Sequence, residues 1–327
     1  MTEHPSTHPF GSIDGRAVER VRLQSGGLTV DLITLGAAVH RVIVNGRDVV
    51  LGHPDADGYA DSQFCLGFTI GRFANRIGAG RFTLDGAEHQ LATNEGDNTL
   101  HGGPDGFHHR LWTIDDLTAD SVRFGLVSPA GDQGFPGELT ASVRYTIAPD
   151  ELRQDYLATT TAPTPVNFTN HSYFNLAGEA SGTTDRQTVW VPARWVVEVD
   201  DELIPTGRLV PAGTHDLRTP RAIAEAAPLD TCFVVGGEPG TLRAHATMAS
   251  DDLALDVFSD QPGIQLYTAD AMDGVPGLNG PYGARAGLAL ETQNLPDAPN
   301  HPDFPNSILR PGDEFRSATI WRFRTLP

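Results

Sequence analysis

The chain has 327 residues, 39% of them hydrophobic, and a formal net charge of −19 from 42 acidic against 23 basic side chains. That charge favours solubility and opposes binding to nucleic acid or anionic membrane. Two cysteines, Cys65 and Cys232, exclude a disulfide scaffold in a chain this long, and no run approaches the ~18 apolar residues of a membrane helix.

The opening MTEHPSTHPF has neither a basic n-region nor an apolar h-region, so the cytoplasm is the expected compartment. Short alternating segments follow, punctuated by 35 Gly and 24 Pro. Val18 to Leu23, Leu28 to Ile33 and His40 to Gly46 read as strands. RFTLDGAEHQL reads as a hairpin turning at Asp85-Gly86. Leu139 to Ile147 and Leu152 to Thr160 form a strand pair around a turn at Pro149-Asp150. Thr188 to Val191, Ala254 to Phe258, Ile264 to Thr268 and Ser317 to Phe323 complete the set. Helical periodicity is confined to about two turns in Thr219 to Leu229. Many short strands without a repeat, linker or composition break predict an all-β, antiparallel β-sandwich or barrel, with residues 1–327 forming one domain.

Five polar clusters interrupt this pattern. GRFANRI places Arg72 and Arg76 in an apolar setting, where each must be paired or face a cavity. LHGG holds His101 beside two glycines, and FHHRLW adds His108 and His109. The histidine spacing matches no common metal pattern, and adjacent histidines on a strand would face opposite ways, so no metal is expected. NHSYFNLAG mixes Asn170, His171, Ser172 and Asn175 with Tyr173, Phe174 and Leu176, as a satisfied internal turn or a polar pocket wall would. LDTCF offers Asp230, which suits hydroxyl groups or a turn cap. In GLALETQNLPDAPN, Glu291 follows four uncharged residues, and a carboxylate in a buried strand end becomes a base near neutrality. GxSxG, Walker and GxGxxG signatures are all missing from the sequence.

Taken in order, GRFANRI, LHGGPDGF, GFPGEL, TPVNFTNHSYFNLAG, LDTCF, GIQLYTAD and LALETQNLPDAPN resemble the aldose 1-epimerases, or galactose mutarotases, over nearly the whole chain. The resemblance implies a galactose mutarotase-like supersandwich with few short helices and a sugar cleft. It implies Glu291 as general base and His171 as general acid, with Arg72, His101, Asp230 and Gln265 contacting the sugar. It implies neither metal nor organic cofactor and a monosaccharide as small-molecule partner; independently of the resemblance, a monomer is the expected state. Two departures stand out: Thr231 follows Asp230 where the family often has His, and HHR stands where an acidic–basic pair is common.

The residue types suit the reaction. Interconverting α and β anomers needs a base at the C1 hydroxyl and an acid at the ring oxygen, then rotation about C1–C2 and reclosure. Ionised Glu291 and protonated His171 are the expected pair, facing one another across a hexose-sized gap. Arg72, His101 and Asp230 are expected to hold the sugar, and Phe73 and Tyr173 to offer its ring an apolar face. NHSYFNLAG is expected to turn its polar groups to the sugar. A hexose-6-phosphate epimerase is the alternative on this fold, disfavoured by the acidic balance and the absence of lysine. A non-catalytic sugar-binding protein would not need the acid–base pair.

Overall fold

The computed structural model describes residues 7–327; residues 1–6, part of the stretch read against a signal peptide, lie outside the described residues. Strands dominate and pair antiparallel in three larger sheets of five, nine and six strands. The nine-stranded sheet shows why alternation was informative. In Leu139–Ala148 the odd positions Leu139, Ala141, Val143, Tyr145 and Ile147 are buried, and the intervening residues are more exposed. Glu151–Thr160 pairs with it from Ala148↔Glu151 to Leu139↔Thr160 and buries Leu152, Gln154, Tyr156 and Ala158 on the same face. Period-two patterning of this kind marks a sheet with one face inward. Phe315–Thr325 adds beside Glu151–Thr160 and is flanked on its other side by Leu253–Ser259.

The six-stranded sheet behaves differently. Every residue of Leu288–Gln293 is buried, and in Gly263–Tyr267 only Tyr267 is partly open. Ile264, Leu266, Leu288 and Leu290 join the main core with Leu152, Trp321 and Phe323. Burying such side chains contributes about 1.5–3 kcal/mol each. The opposite face of the same sheet is covered too, and it carries the polar residues.

Several expected elements need revision. Thr219 to Leu229 forms a single helical turn, Ile223–Ala226, because Pro228 cannot continue a helix and Ala227 is already extended. A second turn, Ala56–Ala60, is capped by the Asp55 side chain accepting from Gly58 N–H at 2.9 Å. Strands Thr7–Ile13, Thr113–Leu117, Ser121–Ser128, Trp195–Val199, Pro205–Pro211 and Arg243–Ala249 were not read from the sequence. His108 and His109 sit in a one-turn 3₁₀ segment with ring centroids 4.2 Å apart, so they do not point to opposite faces of a strand. No described helix is long and apolar enough to cross a membrane.

Candidate active site

Register gathers the site. Gln265 pairs with Glu291, Tyr267 with Ala289, Asp230 with Tyr267, and Tyr173 with Ala289. Residues directly opposite or two apart share a face of a sheet. Glu291, Gln265, Asp230, Tyr267 and Tyr173 therefore project together from four strands. They line a cavity of about 210 Å³, joined by His171, His101, Asn75, Arg76, Glu95, Leu100 and the segment Gln63, Phe64 and Cys65. A larger groove of about 790 Å³ opens near Phe304 and Phe315, but none of the expected acid–base groups lines it.

His171 enters from the NHSYFNLAG stretch, whose main chain is fixed on both sides. His171 N–H donates to Phe68 O at 2.9 Å, and Gly67 N–H donates to His171 O at 3.0 Å. The other polar groups of the stretch brace the fold and do not face the cavity. Asn170 Nδ2 donates to Gly67 O at 2.7 Å, while its Oδ1 accepts from Ser172 N–H and Oγ–H. Asn175 Nδ2 donates to Ala286 O and Gly182 O. The polarity of NHSYFNLAG is thus mostly internal hydrogen bonding, and only His171 and Tyr173 of this stretch reach the cavity.

His171 Nε2 and Glu291 Oε1 lie 3.5 Å apart, closer than the expected hexose-sized gap. Glu291 is 2% exposed, and its Oε2 has no hydrogen-bond partner. Burial drives its carboxyl well above the ordinary value, reinforced by Asp230 and opposed by Arg76. Burial lowers His171 to about 4. Burial thus acts against the charged form of both groups. His101 stands edge-on to His171, with centroids 5.2 Å apart and planes at 83°.

Asp230 and Gln265 are hydrogen-bonded to each other, with the amide donating. Burial raises the Asp230 carboxyl, and Arg76 opposes the shift. Arg76 reaches Asp230 at 3.8 Å and makes a bidentate pair with Glu95 at 2.7 and 2.9 Å.

Two expectations are corrected. Arg72 does not line the cavity. Its guanidinium is 2% exposed and donates to Pro136 O, Gly137 O, Thr164 Oγ1, Ser128 O and Oγ, and Pro129 O. Those six acceptors hold its two terminal nitrogens while its Nε has no partner, and Arg76 is the arginine that lines the cavity. Phe73 is fully buried in a separate cluster with Ile77 and Phe135, so Tyr173 alone of the two aromatic candidates meets the cavity. Asn75, Glu95 and Tyr267 were missed, and Arg76 was singled out but not assigned to the sugar. The signal of Asn75 and Arg76 was present in GRFANRI, but only the fold separates one arginine from the other. Thr231 borders a neighbouring pocket behind Asp230 and Gln265, and both cysteines are buried free thiols.

A family model for aldose 1-epimerase matches residues 19–322. A galactose mutarotase of Homo sapiens is 42% identical over 332 residues, covering 96% of this chain and 97% of its own length. An aldose 1-epimerase of Escherichia coli is 36% identical, covering 99% of both chains. Among solved structures, an aldose epimerase homologue from C. elegans superposes with a TM-score of 0.90 at 30% identity, covering 95% of this chain and 100% of that one. The fold is accordingly a galactose mutarotase-like β-sandwich. With a family model spanning most of its length and relatives well above 30% identity along nearly all of it, the chain belongs to the aldose 1-epimerase family.

Proposed function

We propose that this aldose 1-epimerase interconverts the α and β anomers of free aldohexoses, glucose and galactose among them, with Glu291 and His171 as the proton-transfer pair. The isomerase activity follows from family membership. The residue roles are our reading, and one observation carries it: a buried carboxylate and imidazole 3.5 Å apart in a cavity walled by hydrogen-bonding side chains.

The close approach suits the reaction. The hydroxyl oxygen O1 and the ring oxygen O5 are bonded to the same carbon, so the groups that serve them must be neighbours. Glu291 takes the proton from O1 as His171 gives its proton to O5. The C1–O5 bond breaks and the C1=O1 bond forms, leaving a protonated carboxyl and a neutral imidazole. After rotation about C1–C2, His171 recovers the proton from the hydroxyl at C5, Glu291 returns one to O1, and the ring closes on the other face. The products of ring opening, a neutral carboxyl and a neutral imidazole, are the forms toward which burial shifts both groups. Desolvation thereby lowers the cost of ring opening, and hydrogen bonds from the cyclic sugar to the carboxylate offset it at the start. Each well-placed proton transfer contributes about 10²–10⁴-fold.

Arg76, Asp230 and Gln265 hold the far hydroxyls while C1 turns, and Tyr173 lies under the reacting edge. The residues that line the cavity are spread along the chain from Gln63 to Glu291, which supports the whole chain acting as one unit. The acidic charge suits a free existence in the cytoplasm. Polarimetry on fresh α-D-glucose and α-D-galactose, beside glucose 6-phosphate, tests the reading: rapid equilibration of the free sugars supports it, and a preference for the phosphate overturns it.

A further inference from the structure

Four buried polar atoms without partners fall on three neighbouring residues: Glu291 Oε2, Gln293 Oε1 and Nε2, and Thr169 Oγ1. Glu291 and Gln293 stand two apart on Leu288–Gln293, so they share a face. Thr292, between them, turns the other way and hydrogen-bonds to Thr319 of the nine-stranded sheet. On the adjoining strand Tyr173 pairs with Ala289. Continuing that register sets His171 beside Glu291, as their 3.5 Å approach shows, and Thr169 beside Gln293. Phe168 packs into the main core, so Thr169 turns to the same side as Gln293.

Gln293 is otherwise surrounded by apolar groups. Across from it stands Gly263, and beyond that Val234. A Cβ on Gly263 would meet Leu295 Cδ2 at 3.0 Å and Cys232 Sγ at 3.2 Å. Gln265, further along the same face, already bonds to Asp230. A fully buried amide left unbonded at both ends is destabilising and calls for a reason.

We propose that Thr169 and Gln293 are positioning residues for the base: Thr169 Oγ–H donates to Gln293 Oε1, and Gln293 Nε2–H donates to Glu291 Oε2 when that carboxyl is ionised. One chain of two hydrogen bonds satisfies all four orphaned atoms. Same-face neighbours on a strand are about 6.6 Å apart, a gap that glutamine and glutamate span by rotation of their side chains. None of the four atoms has to break a hydrogen bond to do so. A neutral carboxyl needs no such donor, whereas an ionised one away from water does. The amide therefore favours the form of Glu291 that accepts the O1 proton. A carboxylate oxygen accepts more than one hydrogen bond, so the sugar keeps its access. Neither Thr169 nor Gln293 lines the cavity, so both act through Glu291. The inference rests on Glu291 being the base of the sugar site.

Polarimetry of fresh α-D-galactose across pH, with wild type, Gln293→Met and Thr169→Val, tests it. Gln293→Met should lose about tenfold in kcat while KM stays within about twofold. Its melting temperature should hold or rise, because methionine suits an apolar wall better than an unbonded amide. The alkaline limb of kcat/KM should move up by about one pH unit, since the ionised carboxyl has lost a donor. Thr169→Val only frees the amide, so it should move the same limb the same way by less. It carries the test if the methionine variant does not fold. A packing role alone would lower the melting temperature together with the activity and leave the limb in place. That result, or wild-type kcat in folded Gln293→Met, overturns the proposal. A shift in Gln293→Met with none in Thr169→Val overturns the part given to Thr169. Wild type that equilibrates neither glucose nor galactose, or Glu291→Gln as fast as wild type, overturns the reading of the site and this inference with it; with both as expected, the two variants judge the inference alone.

Discussion

Arg72 and Arg76 stand four residues apart in one heptapeptide and do opposite work. Arg72 is enclosed by neutral acceptors: four carbonyls and two hydroxyls, with Phe135 at 5.5 Å from its guanidinium carbon. Arg76 faces carboxylates, Glu95 and Asp230, at the edge of the cavity. Burial pushes Arg72 down to about 10. Burial acts on Arg76 in the same direction, but Glu95 and Asp230 outweigh it and hold it above its ordinary value. In the first region protein acceptors away from the cavity hold both terminal nitrogens, and only the buried Nε lacks a partner. The second keeps groups in reserve, most plainly the unpartnered Oε2 of Glu291. The unpartnered Glu291 Oε2 belongs to a side chain in the cavity wall, where a substrate can reach it, whereas Arg72 does not line the cavity.

The largest expected effect lies in the unsatisfied region. Glu291→Gln and His171→Asn should each remove ~10²–10⁴-fold in kcat, measured by polarimetry, with the melting temperature nearly unchanged. The enclosure of Arg72 should appear as stability. Arg72→Met leaves six acceptors without their donor and should cost about 3 kcal/mol or more in denaturant unfolding, since each buried orphan costs ~1–3 kcal/mol. The folded remainder should retain its KM. Arg76→Met should do the converse, lowering kcat/KM about 10–100-fold, as expected for a charge-assisted hydrogen bond to substrate, with a smaller stability loss than Arg72→Met. If the two methionine variants exchange phenotypes, the comparison between the regions is wrong.

The smallest effect is in the pH profile. His171 accepts a second proton only below about 4, and the raised carboxyl keeps the pair's single proton well above the ordinary carboxylate range. The rate should be level between these limits, fall as pH drops through about 4 when the pair becomes doubly protonated, and fall again on the alkaline side when the last proton leaves. Measured kcat/KM, corrected for spontaneous mutarotation, reports the two limbs for the pair and not for either residue alone. An acid limb near about 6.5 would indicate an imidazole with ordinary solvation.

Legibility in the sequence followed the same division between local and long-range causes. Leu28–Ile33 was read with its observed ends, and the Leu139–Ala148 and Glu151–Thr160 pair with nearly its observed ends, because one buried face imprints a period of two. Arg243–Ala249 was missed because its alanines have low strand propensity, and Pro205–Pro211 because proline and glycine read as loop. Proline is tolerated there because that strand lies at a sheet edge. Glu291 and His171 were legible as charged or titratable groups in apolar runs. Arg72 and Arg76 were equally so, and nothing within the heptapeptide separates them. The difference is made by the Ser128 to Gly137 turn, more than fifty residues downstream, which delivers its carbonyls to one arginine only.

The central claim is that Glu291 and His171 act as one unit holding one proton. Polarimetry of fresh α-D-galactose with Glu291→Gln, His171→Asn and the double variant, each verified as folded, tests it most directly. The account predicts that the double variant is about as slow as either single variant, since residues acting as a unit are lost together. A folded Glu291→Gln protein that equilibrates the sugar at the wild-type rate would contradict it, as would losses that simply multiply in the double variant.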